Sequence, residues 1–192
     1  MADTRPTVWV SQPLIDAAIA PLRDRVQLLA TDTVTAWSPQ QIAERLASVD
    51  GAIITLNERI GAAQVADAAQ LQVIANVGVG YNNLDVDALS AAGILASNTP
   101  DVLTETTADL GFALLMATAR RITESERWLR EGQWGQWSFQ TMRGADIHGS
   151  TLGILGMGRI GQGIARRGAH GFGMKVLYHN RSRLPAGTEA AL

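Results

Sequence analysis

The sequence predicts an α/β protein built from two successive units with parallel sheets. Two observations carry this expectation. Short β-branched runs alternate with alanine-rich stretches over the first hundred residues, and a glycine-rich turn, Gly156-Met157-Gly158-Arg159-Ile160-Gly161, stands between an apolar run and a helical one. With 192 residues, 46% of them hydrophobic and 18% charged, the chain has enough apolar material for a core,.

Val8–Val10, Val26–Ala30, Ala52–Thr55, Val73–Val77 and Ile94–Ala96 read as strands. Pro13–Leu22, Pro39–Ala47, Ala62–Ala69 and Val86–Ala91 read as the helices between them,. Strands and helices alternating over short connections imply a parallel sheet covered on both faces. Pro100 disfavours helix at Thr99, and Asp101 is placed to cap the helix that follows. One long helix is expected from Leu103 to Glu131, with Leu103, Thr107, Leu110, Leu114 and Ala117 along its packing face and Gly132 as its stop,. Gln133 to Gly149 has no periodicity and carries Trp134, Trp137 and Phe139, rings expected to pack on their own chain or on a partner,. Thr151–Leu155 is the next strand, a helix runs from about Ile160 to Gly171, Lys175–Tyr178 is a further strand, and Pro185–Leu192 approaches another helix,.

The net charge of −2 gives no electrostatic case for nucleic acid or an anionic membrane,. The absence of cysteine excludes disulfides, thiolate metal sites and a cysteine nucleophile, and no metal site is expected,. Met1 to Val10 lacks the basic-then-apolar order of a secretory signal, and the longest apolar stretch, Leu110 to Ala119, is too short to span a bilayer,. A cytoplasmic location is the expectation.

Glycine patterns are common in turns. This one has an apolar strand before it, a helix after it and another strand about 20 residues on, the context that dinucleotide binding requires. Gly156 allows the tight turn, Gly158 lets a pyrophosphate approach the backbone, and Gly161 lets helix and strand pack closely. The pyrophosphate would meet unpaired amides at the positive end of a helix dipole. At the end of the next strand, a carboxylate would accept from the adenosine ribose and repel a 2′-phosphate. This chain has His179-Asn180-Arg181-Ser182-Arg183 there instead. Arginine with serine and asparagine suits a phosphate, so NADPH is expected over NADH, with a solvated basic turn as the competing reading.

These residues resemble the D-isomer-specific 2-hydroxyacid dehydrogenases, above all the glyoxylate/hydroxypyruvate reductase and 2-ketogluconate reductase branch. The resemblance runs from about Val73 to Pro185. Asn76-Val77-Gly78-Val79-Gly80-Tyr81-Asn82-Asn83-Leu84-Asp85 is similar to the family's substrate loop, and Asn98 through Asp109 to the crossing into its cofactor domain. Leu152 through Gly161 resembles the cofactor turn, and Tyr178 to Arg183 its NADPH-preferring variants.

The resemblance implies a flavodoxin-like substrate domain over residues 1–99, followed by the first half of a doubly wound Rossmann cofactor domain over 100–192. It implies that the backbone amides of Val79 and Gly80 hold the substrate carboxylate and that Thr107 lies near the nicotinamide. Arg159 and Ile160 would cover the pyrophosphate, and Asn180, Arg181, Ser182 and Arg183 would surround the 2′-phosphate. The competing readings are a tight turn for Gly78 and Gly80, a core-facing residue for Thr107 and a surface charge for Arg159.

The implied reaction is reduction of glyoxylate, hydroxypyruvate or 2-ketogluconate to the D-2-hydroxy acid. The implied assembly is a homodimer through the long helix and the aromatic segment. The family's catalytic arginine, glutamate and histidine belong to a later part of the cofactor domain, and none of His148, His170 and His179 matches. No catalytic residue is therefore expected here, and the chain alone should be inactive. A closing helix of the first domain and the second half of the cofactor domain are expected to be missing, which would leave Thr151–Leu155 as an unprotected edge. A dinucleotide-sensing binding protein of the same fold is the alternative.

Overall fold

In the computed structural model, which describes residues 4–190, the chain forms two units, Met1–Pro100 and Asp101–Leu192. The first holds five parallel strands: β1 (Thr7–Val10), β2 (Gln27–Ala30), β3 (Gly51–Thr55), β4 (Val73–Val77) and β5 (Leu95–Ser97). Their order is β2-β1-β3-β4-β5, the flavodoxin-like arrangement,. Val8 sits opposite both Leu28 and Gly51, and Ala75 opposite both Ile53 and Ser97. The core forms around the central strands, where Trp9, Ile54 and Ile74 are buried with Leu46, Val49 and Leu89.

The helices of this unit are α1 (Asp16–Ile19), α2 (Pro39–Leu46), α3 (Ala62–Val65) and α4 (Val86–Ala91). Ser38 and Gln41 close a capping box on α2, the Ser38 hydroxyl accepting from the Gln41 amide at 3.2 Å,. Asp85 caps α4 by accepting from the Ala88 amide at 3.0 Å,. α1 is shorter than the expected Pro13–Leu22. Pro21 has no amide to continue the ladder, and the chain passes into a tight turn at Ala20–Leu22,. α3 ends before the expected Ala69 because Ala68 and Leu71 turn back three residues, onto the carbonyls of Val65 and Ala68,.

The second unit holds α5 (Thr104–Ala119), α6 (Ile122–Arg130), β6 (Thr151–Leu155), α7 (Arg159–Arg166), β7 (Lys175–His179) and α8 (Ala186–Ala190). β6 and β7 pair in parallel, with Leu152 opposite Val176 and Leu155 opposite His179. The expected single helix from Leu103 to Glu131 is two helices. Arg121 takes a left-handed conformation, φ 54°, and the Ala119 carbonyl accepts the Ala145 amide at 2.8 Å instead of continuing the helix. Gly144 makes this docking possible, since a Cβ there would lie 2.5 Å from the Ala119 oxygen. Gly132 ends α6 at φ +69°, as expected of a C-terminal glycine,. Asp101 does not cap α5 with its side chain. Its backbone is left-handed at φ 68°, and its carboxylate meets the Arg159 guanidinium at 2.7 Å.

The packing face of α5 also differs from expectation. Leu110 and Leu114 remain 60% and 59% exposed, whereas Ala108 and Phe112 are buried. Small residues decide this. A Cβ on Gly163 would come within 2.8 Å of the Ala108 Cβ, and one on Gly111 within 2.9 Å of the Ile164 Cδ1, so α5 and α7 approach along the face that carries alanine and glycine,. Phe112, Ile147, Leu152 and Met174 form the core beneath them. The helix expected from about Ile160 to Gly171 is continuous over that range, with α7 widening into a π turn over Arg167–Gly171. Gly168 lies there against Leu152, where a Cβ would come within 2.7 Å of the Leu152 Cδ2,.

The close approach of α5 and α7 is testable. Gly163→Val should destabilise the chain by about 1–3 kcal/mol through overpacking against Ala108. Urea unfolding followed by circular dichroism should show a lower midpoint, partly restored by adding Ala108→Gly. An unchanged midpoint would mean that the helices part at no cost.

Candidate functional site

In the first unit the chain reverses its order of strands between β1 and β3, and their carboxyl ends form the switch point at which open α/β sheets bind ligands,. A buried polar cluster occupies those ends. Glu58, only 1% exposed, accepts from the Ser11 hydroxyl at 2.8 Å, the Gln12 side-chain amide at 2.7 Å, and the Thr55 amide and hydroxyl at 2.8 and 2.9 Å. Burial pushes the Glu58 carboxyl up, but the bonds from Gln12, the Thr55 amide, Ser11 and the Thr55 hydroxyl together hold it below its ordinary value,. Asn83 joins this cluster to the next loop. Its amide donates to the carbonyls of Glu58 at 3.0 Å and Thr55 at 3.2 Å, and to the Asn76 side chain at 3.2 Å.

The loop so fastened carries Val79 and Gly80. The Gly78 carbonyl accepts from the Thr99 amide at 2.9 Å, the Val79 carbonyl from the Asn98 side chain at 2.8 Å, and the Gly80 carbonyl from the Asn76 side chain at 2.9 Å. All three carbonyls are therefore tied into the unit, while the Val79 and Gly80 amides have no hydrogen-bond acceptor among the described residues. A turn with bound carbonyls and free amides is suited to an anion. A Cβ on Gly78 would fall 2.6 Å from the Leu56 Cδ2, so a side chain there would have to displace that exposed leucine.

In the second unit the glycine turn follows β6 directly. Gly156 has φ +95° and its amide donates to the His179 carbonyl at 2.9 Å, joining the turn to the end of β7. Gly158 caps α7, and a Cβ there would meet nothing within 4 Å, so its outer side is open to an approaching group. A Cβ on Gly161 would lie 2.2 Å from the Gly156 oxygen, which only glycine avoids. The first-turn amides of α7, from Arg159 and Ile160, have no intrahelical partner,. Open space, free amides and a helix start fit a pyrophosphate.

Arg159 is exposed and paired with Asp101, Ile160 is half-buried at the start of α7, and Thr107 is half-buried on α5. Asn180 lies against the glycine turn, its side-chain oxygen 3.4 Å from the Met157 amide, and donates to the Ser182 carbonyl at 3.0 Å. Arg181 and Ser182 are exposed, and Arg183 is engaged by Glu189. Glu58 and the Asn76–Asn83 pair are the structural residues that reasoning from sequence did not single out. Glu58 follows a strand in a short polar run, where nothing local separates it from a solvated turn. Among the described residues no group of histidine, cysteine and carboxylate side chains is arranged for a metal, and no helix is long and apolar enough to cross a membrane.

The profile of the family described as D-isomer specific 2-hydroxyacid dehydrogenase, NAD binding domain, matches residues 112–192. Glyoxylate reductase from Thermococcus onnurineus is 40% identical over 186 residues, which are 94% of this chain and 55% of the relative. A solved structure of NADPH-dependent glyoxylate/hydroxypyruvate reductase from Sinorhizobium meliloti, in complex with NADP and malonate, superposes with a TM-score of 0.76 at 31% identity, covering 95% of this chain and 56% of that one. A glyoxylate reductase from Paecilomyes thermophila gives a TM-score of 0.79 at 28% identity, over 98% and 59%. The chain spans about half the length of the curated relatives it matches.

The Glu58 cluster sets a pH dependence. A carboxyl held below its ordinary value of 4.5 contributes stability that is fully present above that value and is lost as pH falls through the lowered one,. Glu58→Gln puts an amide donor against donors that the carboxylate satisfied. It should cost about 1–3 kcal/mol near pH 7, with the gap to the parent chain closing as pH drops below 4.5,. Chemical unfolding measured from pH 3 to 7 checks this, and a gap independent of pH would exclude the carboxylate as its source.

Proposed function

As the chain belongs to the D-isomer specific 2-hydroxyacid dehydrogenase family, we propose that its protein reduces a small 2-keto acid (glyoxylate, hydroxypyruvate or 2-ketogluconate) to the D-2-hydroxy acid with NADPH. The observation that carries this reading is the turn at Gly78–Gly80, with its carbonyls bound and the Val79 and Gly80 amides free. Those two amides bind the substrate carboxylate and orient the keto group beside it. Residues 1–99 serve as the substrate domain and 100–192 as the start of the cofactor domain.

Gly156, Gly158 and Gly161 shape the turn that receives the cofactor pyrophosphate, Arg159 and Ile160 flank it, and Thr107 lies toward the nicotinamide. Asn180, Arg181, Ser182 and Arg183 receive the 2′-phosphate. The bound dinucleotide supplies a hydride to the keto carbon. The accompanying proton is assigned to no residue of this chain, so residues 1–192 by themselves should bind the cofactor without turning over.

Purified chain is titrated with NADPH and NADH by calorimetry and assayed with glyoxylate and hydroxypyruvate. Tighter binding of NADPH, selectively weakened by Arg181→Ala about tenfold or more, is the expected result. Equal weakening for both cofactors would assign Arg181 to the fold. Turnover at about 1–1,000 per second would overturn the inactivity of the chain.

The homodimer belongs to the same reading. Leu110, Leu114, Leu129, Trp134, Trp137 and Phe139 are exposed on α5, α6 and the segment after them, and they support a contact between copies in the complete protein,. Sedimentation of that protein at micromolar concentration should give a dimer, and a monomer would exclude the contact.

A further inference from the structure

Arg183 is 83% exposed, and a side chain of that length would ordinarily sample many rotamers in water,. Here it is fixed. Its Nε donates to Glu189 Oε1 at 3.0 Å and its Nη2 to Glu189 Oε2 at 2.9 Å, a side-on fork,. That geometry consumes two of the five guanidinium donors and leaves both hydrogens of Nη1 and one of Nη2 available.

Glu189 is itself held. Its side chain is 23% exposed, and the Tyr178 hydroxyl donates to Oε1 while accepting the Leu184 amide at 3.1 Å. The Glu189 amide donates to the Pro185 carbonyl at 3.1 Å, so the turn after Leu184 sets where the carboxylate sits. Hydrogen bonds from Arg183 and Tyr178 lower the carboxyl to about 2, so the pair stays charged well into the acid range. Tyr178 lies on β7, whose last carbonyl, at His179, binds the glycine turn. A line of fixed groups therefore runs from the strand through Tyr178 and Glu189 to the free donors of Arg183.

We propose that Glu189 is a positioning residue that pre-orients the Arg183 guanidinium for the 2′-phosphate of the dinucleotide and thereby adds to the preference for the phosphorylated cofactor. This rests on the cofactor reading above. Its distinctive feature is the sign of the effect. As a bare negative charge near a phosphate, Glu189 would weaken binding, and its removal would tighten it. As the part that orders Arg183, its removal weakens binding, because the freed side chain must then be immobilised when the phosphate arrives.

Dissociation constants for NADP+ and NAD+ are measured by calorimetry on the full chain and on its Glu189→Ala, Tyr178→Phe, Arg183→Ala and Arg183→Ala/Glu189→Ala variants, with unfolding midpoints alongside. Glu189→Ala should weaken NADP+ about two- to tenfold and leave NAD+ unchanged. Tyr178→Phe should act in the same direction and less strongly, and the double variant should bind NADP+ no worse than Arg183→Ala alone. Tighter or unchanged NADP+ binding by Glu189→Ala, with Arg183→Ala still selectively impaired, would overturn the positioning role and leave the cofactor reading intact. Equal losses for NADP+ and NAD+ in Glu189→Ala would overturn it in favour of a structural role. Arg183→Ala with no selective loss would overturn this inference together with the assignment of Arg183 to the 2′-phosphate.

Discussion

A backbone turn can offer its amides to a ligand only if its carbonyls are satisfied elsewhere, because each residue carries one donor and one acceptor and neither is left buried and unpaired without cost. The candidate binding turn at Gly78–Gly80 meets that constraint from within its own unit. At Gly78–Gly80 the acceptors are covered by the Thr99 amide and the side chains of Asn98 and Asn76. Asn76 is held by Asn83, which hangs on the carbonyls of Thr55 and Glu58, and the Glu58 carboxylate gathers donors from two strand ends. The geometry offered to a small anion thus depends on a carboxylate that never faces it.

The second unit solves a different problem, that of bringing main chains close enough. Gly161 against the Gly156 oxygen, Gly163 against Ala108 and Gly168 against Leu152 are positions where one carbon atom would force a helix off its strand or off its neighbour. The ion pairs of Arg166 and Arg167 with Glu105 and Asp109 lie along the α5–α7 contact, but their carboxylates are exposed to water, which screens the pairs, and they contribute little beside the packing,. Steric permission sets this arrangement more than attraction does.

Local chemistry made the alternation of strands and helices, the glycine turn and the stop at Gly132 readable in the sequence. What could not be read was decided by residues far along the chain. The break at Arg121 depends on Gly144 and Ala145 reaching the Ala119 carbonyl. The buried face of α5 depends on the glycines of α7, so the bulkier leucines, which hydrophobicity favours, are left outside. Asp101 has the composition of a cap, yet Arg159 claims its carboxylate. Glu58 draws its partners from residues 11, 12 and 55, a convergence that only the order of the sheet creates. In the candidate site the motif residues were legible, and the side chains that hold them were not.

The glycine turn and the basic stretch after β7 meet through few atoms: the His179 carbonyl on the Gly156 amide and the Asn180 oxygen near the Met157 amide. They are therefore free to change at different rates over evolutionary time. Substitutions at Gly156, Gly161 or Gly163 collide with backbone or with a neighbouring helix, or demand a backbone angle that other residues resist, so drift there is stopped at folding,. Residues 181 to 183 are exposed, and their side chains can be exchanged with little penalty to the core,. A lineage built on this scaffold can thus vary the charge and shape of the stretch after β7 by a few surface substitutions, while the glycine turn beside it stays frozen.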